Sequence, residues 1–151
     1  NNKERNQKMD RRIILFLMFL FSVIGMQAQT GLAINPVFKG AVVPASRMIE
    51  TSVRGRSLSR YHLTYYHSLR FEASRKELLT INSLFDQDRK QAVETYRVEK
   101  GSHAGKYIIS LQPQGRTHRF LCFSFQNANV TLVYMEGSVG SLRELRKLLE
   151  N

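Results

Sequence analysis

Residues 106–136, KYIISLQPQGRTHRFLCFSFQNANVTLVYME, decide the fold. They predict three strands, Lys106–Gln112, Thr117–Phe125 and Asn129–Glu136, separated by the turn-forming stretches PQGR and QNAN. Connections this short favour an antiparallel meander, because neighbouring strands then pair directly. The middle strand is apolar on both parities, with Leu121 and Phe123 on one and Phe120 and Cys122 on the other. That pattern predicts a central position in the sheet.

Two further extended segments precede the meander. Leu58–Glu72 alternates between an apolar and aromatic parity, which includes Tyr65 and Leu69, and a polar parity. Its length predicts a bend or bulge near Tyr66-His67. A helical interpretation stays open, because Leu58, Tyr61, Tyr65 and Leu69 also recur at spacings of three and four. Arg47–Arg54 predicts another strand, with Ile49, Thr51 and Val53 facing inward.

Helices are predicted before and after the meander in the chain. Ser74–Tyr96 opens with a capping box formed by Ser74 and Glu77, and Ser141–Leu149 opens with a second one. Asp88 falls within the apolar stripe of the first helix, so it either caps a second helix after a break near Asp86 or faces a polar group. The expected fold is two-layer α+β: an antiparallel sheet with a long central helix, or a helix pair, and a C-terminal helix on one face.

The N-terminus has the pattern of a secretory signal peptide. Arg11 and Arg12 follow Met9, residues 13–24 are apolar except for Ser22, and Ala28 suits the cleavage position. We therefore expect a leader and signal peptide over 1–28, an extended lead-in or linker over 29–45 with a short strand at Val37–Val43, and one domain over 46–151. The mature chain is expected to be periplasmic or secreted and to lack a transmembrane segment.

The charge predicts an anionic partner. The chain carries 23 Lys and Arg against 12 Asp and Glu, and five of these basic and two of these acidic residues fall within 1–28, which leaves +8 for the mature chain. Such a charge favours association with anionic surfaces. Export makes nucleic acid an unsuitable partner, so an anionic envelope component or an acidic protein is expected. The single cysteine, Cys122, is expected to be a buried hydrophobe.

No motif in the sequence points to catalysis, a metal or a cofactor. The four histidines lack metal-ligand spacing, and no GxSxG, P-loop or GxGxxG occurs. One basic cluster predicts a weak anion-binding face on the polar parity of the extended segment, because arginine forks bind carboxylates, sulfates and phosphates. Its members are Arg54, Arg56, Arg60, His62, Tyr66 and Arg70.

Four stretches carry a resemblance to known sequences. They are the MQAQ end of the signal segment, Leu58-x-x-Tyr61-x-Leu63-Thr64 followed by Ser68-Leu69, His118-Arg119-Phe120-Leu121-x-Phe123, and Thr131–Gly137 before the last helix. Through them the chain resembles a family of small exported Bacteroidota proteins of unknown function. The resemblance implies compartment and fold and no activity. The expected function is an exported non-catalytic interaction module; the alternatives are a hydrolase-like periplasmic enzyme and a regulatory partner in envelope signalling.

Overall fold

The computed structural model describes residues 31–150. The predicted leader and signal peptide, 1–28, lie outside them. These described residues form six strands and three α-helices, together with a short 3₁₀ turn at Ala45–Arg47 and a 3₁₀ helix at Arg56–Tyr61. In chain order the strands and helices are α1 Asn35–Phe38, β1 Ile49–Arg54, β2 Leu63–Glu72, α2 Arg75–Lys90, β3 Glu94–Lys100, β4 Ala104–Ser110, β5 His118–Gln126, β6 Asn129–Gly137 and α3 Leu142–Glu150.

All six strands belong to one antiparallel sheet in the order β1-β2-β6-β5-β4-β3. The predicted meander is confirmed as β4-β5-β6, and the α+β class is confirmed with it. Helix α2 carries the chain from β2 to β3 at the opposite edge. Within 31–150 no helix is long and apolar enough to cross a bilayer.

The two main helices cover opposite faces of the sheet, which corrects the expectation that they share one face. One face is called the strap face, because the N-terminal segment 31–48, the strap, also packs there; on it Leu121 and Phe123 of β5 pack with Ile81 and Phe85 of α2. On the α3 face, Phe120 and Cys122 pack with Leu142 and Leu145. Successive side chains of a strand point to opposite sides, so a strand that is apolar on both parities needs a cover on each. The sheet is therefore the middle of three layers.

The segment before β2 departs from the predicted regular strand. Residues 56–61 form a 3₁₀ helix between Gly55, at φ +104°, and His62, at φ +55°. Strand β2 begins only at Leu63, and its register shifts between Leu63 and Tyr65 rather than at Tyr66-His67. The two positive-φ residues interrupt the extended backbone, so the alternation read from the sequence does not run through this segment.

The predicted first helix is also shorter than expected. The capping box is confirmed, because Ser74 Oγ accepts from the Glu77 N–H at 3.1 Å and the Ser74 N–H donates to Glu77 Oε1 at 2.9 Å. The helix runs without a break to Lys90, and after a three-residue connection Glu94–Lys100 form β3, a strand that the sequence did not predict. Tyr96 on β3 faces the α3-face core, so its helical spacing from α2 is coincidental.

Residues 31–48, the N-terminal strap, pack onto the strap face rather than forming an extended linker. Helix α1 occupies part of the predicted Val37–Val43 strand, and Ile34, Val37 and Val43 are fully buried. Asp88 is buried near the end of α2 and accepts the N–H groups of Ala33 at 2.8 Å and Ile34 at 2.9 Å. Asp88 therefore caps no second helix; it fastens the strap to α2.

Candidate functional site

The six residues of the predicted anion-binding face do not come together. Arg54 lies on the strap face, where its guanidinium carbon is 4.1 Å from the centroid of the Tyr65 ring. Arg56 and Arg60 belong to the 3₁₀ helix, and Arg60 stacks on the neighbouring Tyr61 ring at 4.7 Å. Arg54 therefore lies on the opposite face from the polar parity of β2, and Arg56 and Arg60 lie off the strand.

The remaining three lie along the α3 face but far from one another. His62 Nδ1 is 3.8 Å from Glu144 Oε1 of α3. Tyr66 is half-buried against the α3-face core. Arg70 lies four residues further along β2, which is about 13 Å, and is exposed. The predicted face is therefore not continuous, because Arg56 and Arg60 lie in the 3₁₀ helix and α3 packs near His62 and Tyr66.

Arg70 instead lines a concave basin at the other end of the α3 face. Helix α3 covers only the half of this face that is apolar, and the open half forms a basin of about 680 Å³. Three cations, two hydroxyls and two amides line it, with apolar side chains at its margins. The polar lining residues are Arg70, Lys100, Lys106, Ser124, Thr131, Gln126 and Asn129.

Strand register places four of these side chains in one row across the sheet. Arg70 is opposite Thr131, Thr131 is opposite Ser124, and Ser124 is opposite Lys106. Directly opposed residues point to the same face. The row therefore reads cation, hydroxyl, hydroxyl, cation. Both hydroxyls belong to half-buried residues, whereas both cations are exposed.

The turns at the rim of the basin are fixed by backbone hydrogen bonds. The two-residue loop that joins β5 to β6 has Asn127 at φ +53°. The Asn127 N–H donates to the His103 carbonyl in the β3–β4 turn at 2.7 Å, and the Ala73 N–H donates to the Ala128 carbonyl at 2.8 Å. Neighbouring loops are thus tied together, so the rim is preorganised.

The basin is electrostatically unbalanced. Within the part of the chain that the structure describes, Arg70, Lys100 and Lys106 make no ion pair. The basin lining includes no Asp or Glu. The strand register places one acidic residue, Glu72, near the row, because Glu72 lies opposite Asn129. Glu72 is exposed and does not line the basin. These three cations therefore give the basin a positive charge that no acidic residue in its lining balances.

A second polar cluster lies on the strap face and has a structural role. The Tyr134 hydroxyl donates to Glu136 Oε1 at 2.8 Å, and both residues are buried. Burial and, after it, the bond to Glu136 raise the pKa of Tyr134 above its ordinary value. His67 Nε2 lies 2.7 Å from Glu50 Oε1, with the Phe38 ring 5.0 Å from the His67 ring. This cluster joins β1, β2 and β6 beneath the strap.

No group of three His, Cys, Asp or Glu side chains that could hold a metal ion occurs among residues 31–150. The role of Asp88 could not be decided from the sequence. In the structure its buried carboxylate accepts hydrogen bonds from the two strap N–H groups. Burial raises its pKa above the ordinary value, and those two hydrogen bonds oppose the rise. Its position supports packing rather than proton transfer.

The basin residues other than Arg70 were not found from the sequence, although a signal was present. The QNAN turn places Gln126 opposite Asn129. Two residues further along each strand, Ser124 is therefore opposite Thr131. On the same parity the next residues towards the far end, Cys122 and Val133, are apolar. Where side chains on one face change from apolar to polar at paired positions of neighbouring strands, the helix that covers this face is expected to end.

Comparison with known families assigns the chain to a family but does not assign it an activity. Residues 21–149 match a family of unknown function, DUF6108, and the chain belongs to that family. No curated protein matches it.

Proposed function

We propose that this member of the DUF6108 family is an exported, non-catalytic module of the cell envelope or secreted fraction that binds an anionic partner in the basin. The observation that carries the proposal is the row of Arg70, Thr131, Ser124 and Lys106 inside a concavity of about 680 Å³. Charge-assisted hydrogen bonds from such donors to an anion are stronger than neutral ones.

The lining chemistry favours binding over turnover. Its cations, hydroxyls and amides orient and neutralise an anion, but the lining contains no carboxylate, imidazole or thiol that would serve as a general base. A hydrolase-like function would be favoured by convergence of Asp88 with His62 or Tyr66. Asp88 bonds the strap on the strap face, whereas His62 and Tyr66 contact the α3 side.

Export is supported by the basic and then apolar pattern of residues 10–28. N-terminal sequencing of the protein recovered from culture medium or periplasm should begin at Gln29 or within a few residues of it. Recovery of an uncut chain from the cytoplasm would overturn this part of the proposal.

Binding is tested by retention on acidic resins at low and moderate salt. Arg70→Gln and Lys106→Gln should each weaken salt-sensitive retention, because exposed charges are screened over about 8 Å at physiological ionic strength. The matched control is Arg116→Gln, which removes the same charge from the exposed β4–β5 turn at the opposite end of the sheet. Arg56→Gln and Arg60→Gln test the face that the sequence predicted.

Loss of retention in the two basin variants, with an unchanged melting temperature and normal retention of the Arg116 control, supports the basin. Equal losses in the basin variants and the control would show that net charge alone causes retention. Losses confined to the Arg56 and Arg60 variants would place the site on the 3₁₀ helix instead. No retention of the wild-type protein would overturn the binding function.

A further inference from the structure

The basin is long as well as basic. Neighbouring strands lie about 4.7–4.9 Å apart, so the row from Arg70 on β2 to Lys106 on β4 crosses three spacings, about 14 Å. Lys100 lies on β3, one strand further. Val98 is directly opposite Lys106, so Lys100, two residues after Val98 on the same face, is a diagonal neighbour of Lys106. The cations therefore extend across about 19 Å of the sheet.

A single small anion does not satisfy this arrangement. Hydrogen bonds to an anion require donor–acceptor distances of about 2.7–3.2 Å, so one phosphate or carboxylate bonds neighbouring donors in the row and leaves Lys100 unpaired. A ligand that neutralises all three cations carries at least two anionic groups on an elongated frame. Between those groups it meets the Ser124 and Thr131 hydroxyls, which make no side-chain hydrogen bond to any described residue.

Resting on the proposed function, we infer that the ligand is an acidic glycan chain that lies across the strands. Its carboxylate or sulfate groups meet Arg70 at one end and Lys106 and Lys100 at the other. The sugar hydroxyls between them meet Thr131, Ser124 and the Gln126 amide, which also lines the basin. The alternation of cations with neutral hydrogen-bonding groups matches a polymer in which charged groups alternate with hydroxyls.

The surroundings disfavour other polyanions. Single-stranded nucleic acid is held by aromatic stacking, but the Phe125 ring lies on the strap face, where its centroid is 5.7 Å from that of Phe123. An extended acidic peptide adds to a free sheet edge, whereas the row crosses strands β6, β5 and β4, whose backbones are already paired. A flat bilayer surface does not enter a concavity.

The test is titration calorimetry of the full chain at low salt with galacturonate monomer, dimer, tetramer and hexamer. Poly-glutamate and phosphatidylglycerol vesicles serve as comparison anions. Affinity should rise with oligomer length until the chain reaches from Arg70 to Lys100. Lys100→Gln should weaken the longer oligomers about two- to fivefold and leave the dimer unchanged. Thr131→Val, which keeps the side-chain shape, should weaken the tetramer about two- to tenfold. Arg116→Gln is the charge control.

Each outcome separates this inference from the proposed function. Length-dependent binding that Thr131→Val weakens supports the glycan. Equal affinity for monomer and hexamer overturns the elongated ligand but leaves an anion site in place. Binding of poly-glutamate or of vesicles without binding of the oligosaccharides overturns the glycan in favour of that other anion. Failure of every anion to bind overturns both the inference and the proposed function.

Discussion

The carboxylate of Asp88 accepts the N–H of Ile34 at 2.9 Å, although the two residues lie 54 positions apart in the chain. Asp88 also accepts the N–H of Ala33, so one side chain satisfies two backbone donors where the strap meets α2. Ile34 is fully buried beside it. Buried donors without a partner are costly, which makes this carboxylate the residue that holds the strap on the strap face.

Replacing Asp88 should loosen the strap. Asp88→Asn keeps the shape but places an amide NH₂ against one of the two backbone N–H groups, so we expect a loss of about 1–3 kcal/mol in the free energy of unfolding. Asp86→Asn is the control, because Asp86 makes an exposed pair with Arg89 and its replacement should therefore cost less than that of Asp88. Urea melts measure both. Similar small losses in the two variants would show that the strap does not depend on Asp88.

The Glu77 carboxylate should make stability depend on acid pH. Hydrogen bonds from Arg47 and then from Ser74 hold the pKa of Glu77 at about 2, below its ordinary value of 4.5. Because the folded pKa is the lower one, this contribution is present above about pH 4.5 and is lost as the pH falls towards 2. Urea melts between pH 7 and pH 2 should show a gap between wild type and Glu77→Gln that shrinks on acidification. Arg47→Gln should show the same trend. A gap that stays constant with pH would contradict this assignment.

Gly137 should not tolerate a side chain. A Cβ at this position would overlap the His62 carbonyl oxygen and lie 2.8 Å from Leu63 Cα, both of them backbone atoms. We expect Gly137→Ala to cost about 1–3 kcal/mol or more in the free energy of unfolding. The control is Gly140→Ala, where the nearest atom to a Cβ is 3.8 Å away and the change should be neutral or stabilise by about 0.4–1 kcal/mol. Equal stabilities would show that β2 and β6 separate easily here.

Cys122 should be unreactive in the folded protein. Burial raises the pKa of its thiol to about 11 from an ordinary value of 9.0, which lowers the thiolate fraction near pH 8 about 100-fold. A disulfide reagent should therefore label the native protein far more slowly than the urea-unfolded chain. Ser102→Cys in a Cys122→Ser background gives an exposed control thiol in the β3–β4 turn. Native labelling as fast as that control would mean that the α3 face opens readily.

The parts of the fold that were predictable are those that short-range patterns define. The meander followed from alternation and turn residues, and the capping box of α2 from Ser74 and Glu77 alone. Strand β3 was missed because Tyr96 continued the spacing of the helical stripe and because an edge strand carries charges on its exposed parity. Docking of the strap depends on Asp88 contacts with residues 54 and 55 positions away, which no local pattern contains.

The residues of the candidate site were only partly predictable, and anion binding itself stays a prediction. An arginine-rich polar parity was expected to bind anions, and Arg70 lies in the basin. Arg56 and Arg60 were misplaced because Gly55 and His62 adopt positive φ and bend the backbone into a 3₁₀ helix. Lys100 could not be found before β3 was known.

The three-layer arrangement can be tested by coupling between core residues. Phe85 of α2 packs against Phe123 of β5 with ring centroids 5.2 Å apart, whereas Leu145 of α3 belongs to the opposite core. In double-mutant cycles, Phe85→Leu with Phe123→Leu should show a coupling of about 0.5–3 kcal/mol, and Phe85→Leu with Leu145→Ala should be additive within about 0.3–0.5 kcal/mol. The variants are mild enough to compare by urea melts. Strong coupling between Phe85 and Leu145 would instead place both helices on one face, because only side chains that share a core respond to each other's removal.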